Sequence, residues 1–109
     1  MKLSETELRV LGVLMEKALT QQSSYPMTLN AITLGCNQKQ NRDPVVDYGE
    51  GDVSAAIRTL EHKGMVARAE TAVGARAVRF KHLVVEKIKW DRREQAVMAE
   101  LMLRGRQTA

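Results

Sequence analysis

The spacing of apolar residues changes at Gly64, and this change restricts the folds open to the chain more than any other feature. Before Gly64, apolar residues recur every three or four positions in three short stretches, which is the period of an amphipathic helix. After it, two β-capable runs flank a short turn around Gly74, which predicts a β-hairpin. Because each element is short, none can bury its apolar face alone, so all of them must share one core.

Local signals predict where the helices begin and end. Ser4 followed by Glu7 is a capping-box pattern, and Thr28 is a suitable cap for a second helix. Gly49 is a plausible cap for a third helix, and Gly64 follows its end as a C′ glycine. The predicted helices run over about 5–19, 29–37 and 50–63, and the predicted strands over about 65–71 and 76–82.

Three helices followed by a hairpin is the order of a winged helix-turn-helix, in which two helices brace the third and the hairpin forms the wing. The predicted fold class is therefore α+β, mainly α: a winged helix-turn-helix of three helices plus a β-hairpin wing, with a C-terminal helix. We expect the winged-helix domain over residues 1–83, and a linker with the C-terminal helix over residues 84–109.

The C-terminal helix, expected over about residues 91–105, is apolar almost all round, so we expect it to be buried on more than one side. Shifting the first helix by 88 residues matches its hydrophobic spacing to this helix, which predicts the start of a second, truncated winged-helix domain. One hypothesis is a symmetric homodimer, with candidate interface residues Val97, Met98, Leu101 and Met102. The alternative is that the helix folds back and covers the first helix of its own domain.

Composition and charge narrow the class of protein. Of 109 residues, 44% are hydrophobic and 28% are charged, which is ordinary for a globular protein and unlike a disordered chain. The sequence has no apolar run long enough for a membrane span, no signal-peptide pattern and one cysteine, so a cytoplasmic location without membrane partners is the default expectation.

The formal charge of +4 is concentrated in residues 76–93, which contain seven Lys and Arg and two acidic residues. Such a patch attracts nucleic acid or an acidic partner, or is a solvated face.

The predicted fold indicates duplex DNA as a partner, with the third helix in the major groove and the wing against phosphates. The candidate nucleic-acid-binding residues are Lys39, Arg42, Ser54, Arg58, Arg76, Arg79 and Lys81. Glu50 and Asp52 oppose this interpretation, because they place two carboxylates at the helix end that would face the bases. We therefore expect the basic wing and the segment that follows it to dominate binding, with weak sequence readout. The other hypothesis is a protein-interaction or assembly module without DNA binding, since a fold does not fix a function.

Residues able to carry catalysis or hold a metal form no recognisable set. Cys36 with His62 or His82 could supply a nucleophile and base, but a buried cysteine at the end of the second helix is the better interpretation. Metal binding would need converging ligands that the sequence does not indicate, and no glycine motif for phosphate or dinucleotide binding is present. We predict no enzyme activity, no catalytic residue, no metal and no cofactor.

Three segments carry a resemblance to a known family: LSETELRVLGVLMEKALT, YPMTLNAITLGCNQKQNRDPV and LRGRQT. They resemble the YceH-like family of uncharacterised bacterial proteins, and the string from Cys36 to Val45 is the most specific part. The resemblance implies two tandem winged-helix domains, of which this chain would hold the first and the opening helix of the second. It also implies a bacterial cytosolic setting. It implies no reaction, because the biochemistry of the family is not established.

The segment 37–48 is longer than the turn of about three or four residues that joins the helices of an ordinary helix-turn-helix. Its Asn and Gln side chains can bond to the loop's own backbone, which makes it a self-bonded connection. Alternatively it is a binding edge, in which Lys39 and Arg42 are the cations best placed to reach a phosphate or a carboxylate outside.

Overall fold

The structure is a computed structural model that describes residues 3–39, 42, 45–69, 78–84 and 91–104. Within these residues it is mainly helical, with a small three-stranded antiparallel sheet, which confirms the predicted α+β, mainly α class. The elements in chain order are α1 (Glu5–Thr20), a 3₁₀ turn (Gln22–Ser24), β1 (Met27–Thr28), α2 (Leu29–Cys36), α3 (Glu50–His62), β2 (Val66–Ala69), β3 (Arg79–His82) and α4 (Arg92–Arg104).

The predicted helix caps are confirmed at atomic detail. The Ser4 hydroxyl accepts a hydrogen bond from the Glu7 backbone N–H at 3.1 Å, and the Glu7 carboxylate accepts from the Ser4 N–H at 2.8 Å. The Thr28 hydroxyl caps α2 by accepting from the Ala31 N–H at 3.2 Å. Gly64 has a φ of 74° directly after α3, a conformation that a residue with a Cβ adopts only at a cost.

The sheet has the order β1-β3-β2, so β3 is its central strand. Phe80 pairs with Met27 on one side and with Arg68 on the other. Phe80 and Met27 are buried and belong to the core, while Arg79 and Lys81 are exposed on the opposite face, as side-chain alternation predicted. The strand β1 was not predicted, because two residues are too few to show a period.

The helix α1 is the centre of the core. Between Val10 and Met15, all the apolar side chains of this helix have 0% solvent exposure. The helix α2 approaches closely at Gly35, where an added Cβ would lie 2.7 Å from a methyl carbon of Val13. On another side, α4 packs against α1 at Gly12, where an added Cβ would lie 3.0 Å from the Leu103 side chain. These two glycines therefore set how closely the neighbouring helices approach α1.

Several predicted features lie outside the described residues. They are the turn of the hairpin with Arg76, most of the predicted linker, and the last residue of the predicted C-terminal helix. In the part of the chain that the structure describes, no helix has both the length and the apolar character that crossing a membrane requires.

Candidate nucleic-acid interface

The exposed face of the sheet presents two cations on the central strand. Arg79 and Lys81 both lie open to solvent, and their partners on β2 are Ala69 and Ala67. Because these partners are small and uncharged, no side chain of β2 shields or neutralises the two charges. The guanidinium of Arg79 donates to the Pro26 carbonyl at 2.9 Å, which holds it close to the sheet.

The outward face of α3 is fixed by one contact on each side of the helix. The Thr59 hydroxyl donates to the Glu7 carboxylate of α1 at 2.9 Å. On the other side, the Glu61 carboxylate forms an ion pair with Arg68 of β2, with 3.5 Å between Oε2 and Nε. At about 100° per residue, Arg58 and His62 fall between these two contacts, and both are exposed. The helix therefore presents Arg58 to solvent beside the sheet.

Two polar residues of α3, Ser54 and Thr59, offer less to a partner than Arg58 does. Ser54 is half-buried rather than fully exposed, so it offers less surface to a partner. Thr59 is exposed, but its hydroxyl donates to the Glu7 carboxylate and to the Ala56 carbonyl.

The N-terminal end of α3 is acidic, as the sequence indicated. Glu50 and Asp52 are both exposed, and the Asp52 carboxylate accepts from the Gly49 N–H at 3.2 Å. These carboxylates stabilise the helix, because its first turn has N–H groups without helical partners and the positive end of the dipole. The same charges repel a phosphate that approaches this end.

The long connection between α2 and α3 is closed by its own side chains. The Asn37 amide donates to the Tyr48 carbonyl at 2.8 Å and accepts from the Tyr48 N–H at 2.7 Å. One asparagine therefore satisfies both main-chain groups at the far end of the loop. Near its start, Lys17 donates to Gln38 at 3.3 Å. These bonds support the self-bonded interpretation of this segment.

Arg42 is a buried anchor, and its predicted reach toward an outside phosphate is wrong for this structure. Its side chain has 0% exposure. It donates from Nε to the Gly35 carbonyl at 2.9 Å, and from both Nη atoms to the Glu16 carboxylate at 2.9 and 3.2 Å. Sequence reasoning missed this role because Glu16 is 26 residues away. Lys39, by contrast, is exposed as predicted.

A buried carboxylate, Glu7, ties α1 to α3. Lys63 donates to its two oxygens at 2.8 and 3.0 Å, and Thr59 donates at 2.9 Å. Burial disfavours the charged form, but the hydrogen bonds from Lys63, the Ser4 backbone and Thr59 outweigh it, and the pKa of Glu7 falls to about 2. The contact holds α3 in the rotation that exposes Arg58.

The candidate nucleophile is inaccessible. Cys36 is fully buried, as its position in the helical pattern predicted. Burial raises the pKa of its thiol to about 12, although Arg9 and Arg42 nearby favour the thiolate. His82 instead lies beside the ring of Tyr25, with 6.0 Å between the ring centroids. Among the residues that the structure describes, no group of three or more His, Cys, Asp and Glu side chains could hold a metal ion.

The helix α4 buries one face against its own chain, and its expected burial on a second side stays a prediction. Ala99 and Leu103 are buried in the core that includes α1, and Met98 and Met102 pack at its edge. Of the four candidate interface residues, Val97 and Leu101 remain exposed, at 54% and 46%. The helix therefore covers α1, as the alternative hypothesis held, and still presents an apolar face to solvent.

Comparison with known proteins gives consistent matches over nearly the whole chain. Residues 3–109 match the family described as "Protein of unknown function, DUF480". A UPF0502 protein of Geotalea daltonii is 47% identical over 106 residues, which are 97% of this chain and 48% of that protein. A UPF0502 protein of Solibacter usitatus is 50% identical over 109 residues, covering 98% of this chain and 51% of that protein. The chain spans about half the length of the curated relatives it matches.

Proposed function

We propose that this chain, which belongs to the DUF480 family of bacterial proteins of unknown function, is a winged-helix module that binds duplex DNA mainly through phosphate contacts. The membership agrees with the resemblance found in the sequence at the level of an uncharacterised bacterial family. The narrower YceH-like assignment and the tandem winged-helix organisation stay predictions.

The winged-helix part of the proposal is supported by the order of elements. The chain runs α1, β1, α2, α3, β2 and β3, and the sheet has the order β1-β3-β2. In a winged helix, a short first strand joins the edge of the hairpin that follows the third helix. The Arg68–Glu61 ion pair joins β2 to α3, so the proposed wing lies beside the proposed recognition helix.

The observation that carries the DNA-binding part is the exposed pair Arg79 and Lys81 on the central strand, with Arg58 exposed on α3. Lysine and arginine contacts to phosphates supply most of the sequence-independent affinity for DNA. The acidic start of α3 argues against close base contacts at that end, because the helix N-terminus is the part that usually reads the bases. We therefore expect binding with a strong salt dependence and weak discrimination between sequences.

The test is fluorescence anisotropy with a labelled random-sequence duplex at several salt concentrations. We expect salt-sensitive binding for the wild-type chain, and a salt slope shallower by about one unit for Lys81→Ala, as removal of one phosphate contact predicts. Arg92→Ala is the matched control, because Arg92 is an exposed cation on α4 that belongs to neither the proposed DNA surface nor the exposed face around Val97. Lys39→Ala measures the contribution of the loop. Binding without salt sensitivity, or no binding at all, would overturn the proposal.

A second candidate function, an assembly module, is favoured by the exposed Val97 and Leu101. These two apolar side chains are one turn apart on a helix whose opposite face already packs against α1. This pattern is typical of a helix that packs on both sides. Sedimentation equilibrium of the chain tests self-association independently of any DNA measurement.

A further inference from the structure

The outer face of α4 combines apolar and charged side chains in a particular order. Val97 and Leu101 are one turn apart, and Arg93 and Glu100 lie within about 60° of Val97 around the helix. All four are exposed, and the buried Ala99 lies on the opposite side against α1. The face is therefore an apolar centre with one cation toward the start of the helix and one anion toward its end.

This order is self-complementary under a two-fold axis. Arg93 and Glu100 are seven residues apart, which is about 10 Å along a helix and close to two turns. When two such helices run antiparallel with the axis between positions 96 and 97, each Arg93 lies opposite the other helix's Glu100. Val97 then packs beside the axis, against the partner's Ala96 and Val97. Within one helix this spacing is too long for an ion pair, so Arg93 and Glu100 meet each other only between two copies.

We infer that α4 pairs antiparallel with α4 of a second copy of this chain, through Val97 at the centre and two symmetric Arg93–Glu100 ion pairs. This inference rests on the assembly function proposed above and names its partner and geometry. A two-fold symmetric pair is also the commonest form of homo-oligomer. Leu101, one residue beyond Glu100, covers the aliphatic stem of the partner's Arg93, as such stems commonly pack on apolar surface.

The surface next to this face gives the partner helix room to pack. Beyond Ala96, a groove of about 270 Å³ lies between α1 and α4, lined by Leu19, Ala99 and Leu103 together with the polar side chains Glu16, Thr20 and Glu100. The apolar side chains of this groove come from both α1 and α4. A partner helix laid along α4 therefore also lies beside apolar surface of α1.

The test is sedimentation equilibrium of the wild-type chain and of charge-reversed variants over a range of protein concentrations. In Arg93→Glu both pairs become Glu–Glu, and in Glu100→Arg both become Arg–Arg. Each variant should dimerise about tenfold more weakly, because two exposed attractive pairs are replaced by two repulsive ones. The double variant Arg93→Glu/Glu100→Arg should regain the wild-type constant, and an equimolar mixture of the two single variants should associate as a heterodimer.

Control measurements separate the pairing from general effects of charge. Lys39→Glu reverses an exposed cation in the loop between α2 and α3 and should sediment as the wild-type chain does. Far-ultraviolet circular dichroism verifies that each variant keeps its helices. A wild-type chain that stays monomeric at every concentration overturns the assembly function together with this pairing. A wild-type dimer with unchanged association in both single variants overturns the pairing alone and leaves assembly in place.

Discussion

Replacing Arg42 by methionine tests whether a buried ion pair holds the long loop between α2 and α3. Methionine keeps an apolar stem of similar length and removes the guanidinium. The change leaves the Glu16 carboxylate without the two Nη donors of Arg42, with Lys17 still 3.5 Å away, and leaves the Gly35 carbonyl without the Nε–H. A side chain with 0% exposure makes these bonds, so water does not replace them without rearrangement of the loop.

The expected loss of stability can be worked from this geometry. Breaking a fully buried ion pair by removing one partner costs about 3–5 kcal/mol. The Glu16 side chain is 20% exposed, so its carboxylate recovers part of its hydration, and we expect a loss of about 2–3 kcal/mol. For a domain of this size, that loss lowers the melting temperature by about 10 °C.

Thermal and urea unfolding, followed by circular dichroism, measure the effect. Lys39→Met is the matched control, since Lys39 is an exposed cation of the same loop and its replacement should change stability by less than about 0.5 kcal/mol. A double-mutant cycle with Glu16→Gln should give a coupling of about 1–2 kcal/mol between the two residues. Equal melting temperatures for Arg42→Met and Lys39→Met would show that the Arg42–Glu16 ion pair does not stabilise the fold, and Arg42 would again be a candidate for binding at the surface.

Three further predictions follow from other contacts. The pKa of Glu7 is lowered from 4.5 to about 2 in the folded state. The Glu7 carboxylate therefore contributes up to about 3 kcal/mol of stability above pH 4.5, and this contribution is lost as the pH falls toward 2. In Glu7→Gln, the stability measured by acid unfolding should depend less on pH over that range. Gly12→Ala places a Cβ 3.0 Å from side-chain atoms of α4 and should destabilise the fold by about 1–3 kcal/mol in urea, whereas Gly51→Ala, with open space around its Cβ, should not. Asn37→Ala removes both bonds to Tyr48 and should raise amide hydrogen exchange at Tyr48 more than in α1.

Most of the secondary structure was predictable because its signals are local. The capping box at Ser4, the cap at Thr28 and the glycine after α3 each act over three or four residues, and each is where the sequence placed it. The strand β1 was missed because its evidence is not local: Met27 and Thr28 become a strand only by pairing with Phe80 and Arg79. A two-residue strand has no period of its own.

The exposure of the candidate site residues was predictable on the strand, where side chains alternate between its two faces. It was not predictable where a side chain is buried by a partner distant in the sequence. Arg79 and Lys81 lie on the exposed face because strand side chains alternate. Arg42 stands in a polar stretch that resembles a surface loop, and only the fold brings it to Glu16 of α1. The docking of α4 was also beyond local reasoning, because it depends on the close approach that Gly12 permits on a different helix.

The two proposed surfaces lie on different elements, and this separation gives a prediction that joins them. The DNA surface is on β3 and α3, while the pairing surface is on α4, which packs on α1. An antiparallel dimer carries two DNA surfaces, so its affinity for a duplex long enough to reach both exceeds the affinity for a short duplex, by roughly a hundredfold where the geometry allows both contacts. Leu101→Ser weakens the pairing without altering charge, and should therefore lower binding to the long duplex while leaving binding to the short one unchanged. Equal losses on both duplexes would mean that α4 acts on DNA binding through the fold and not through a second copy.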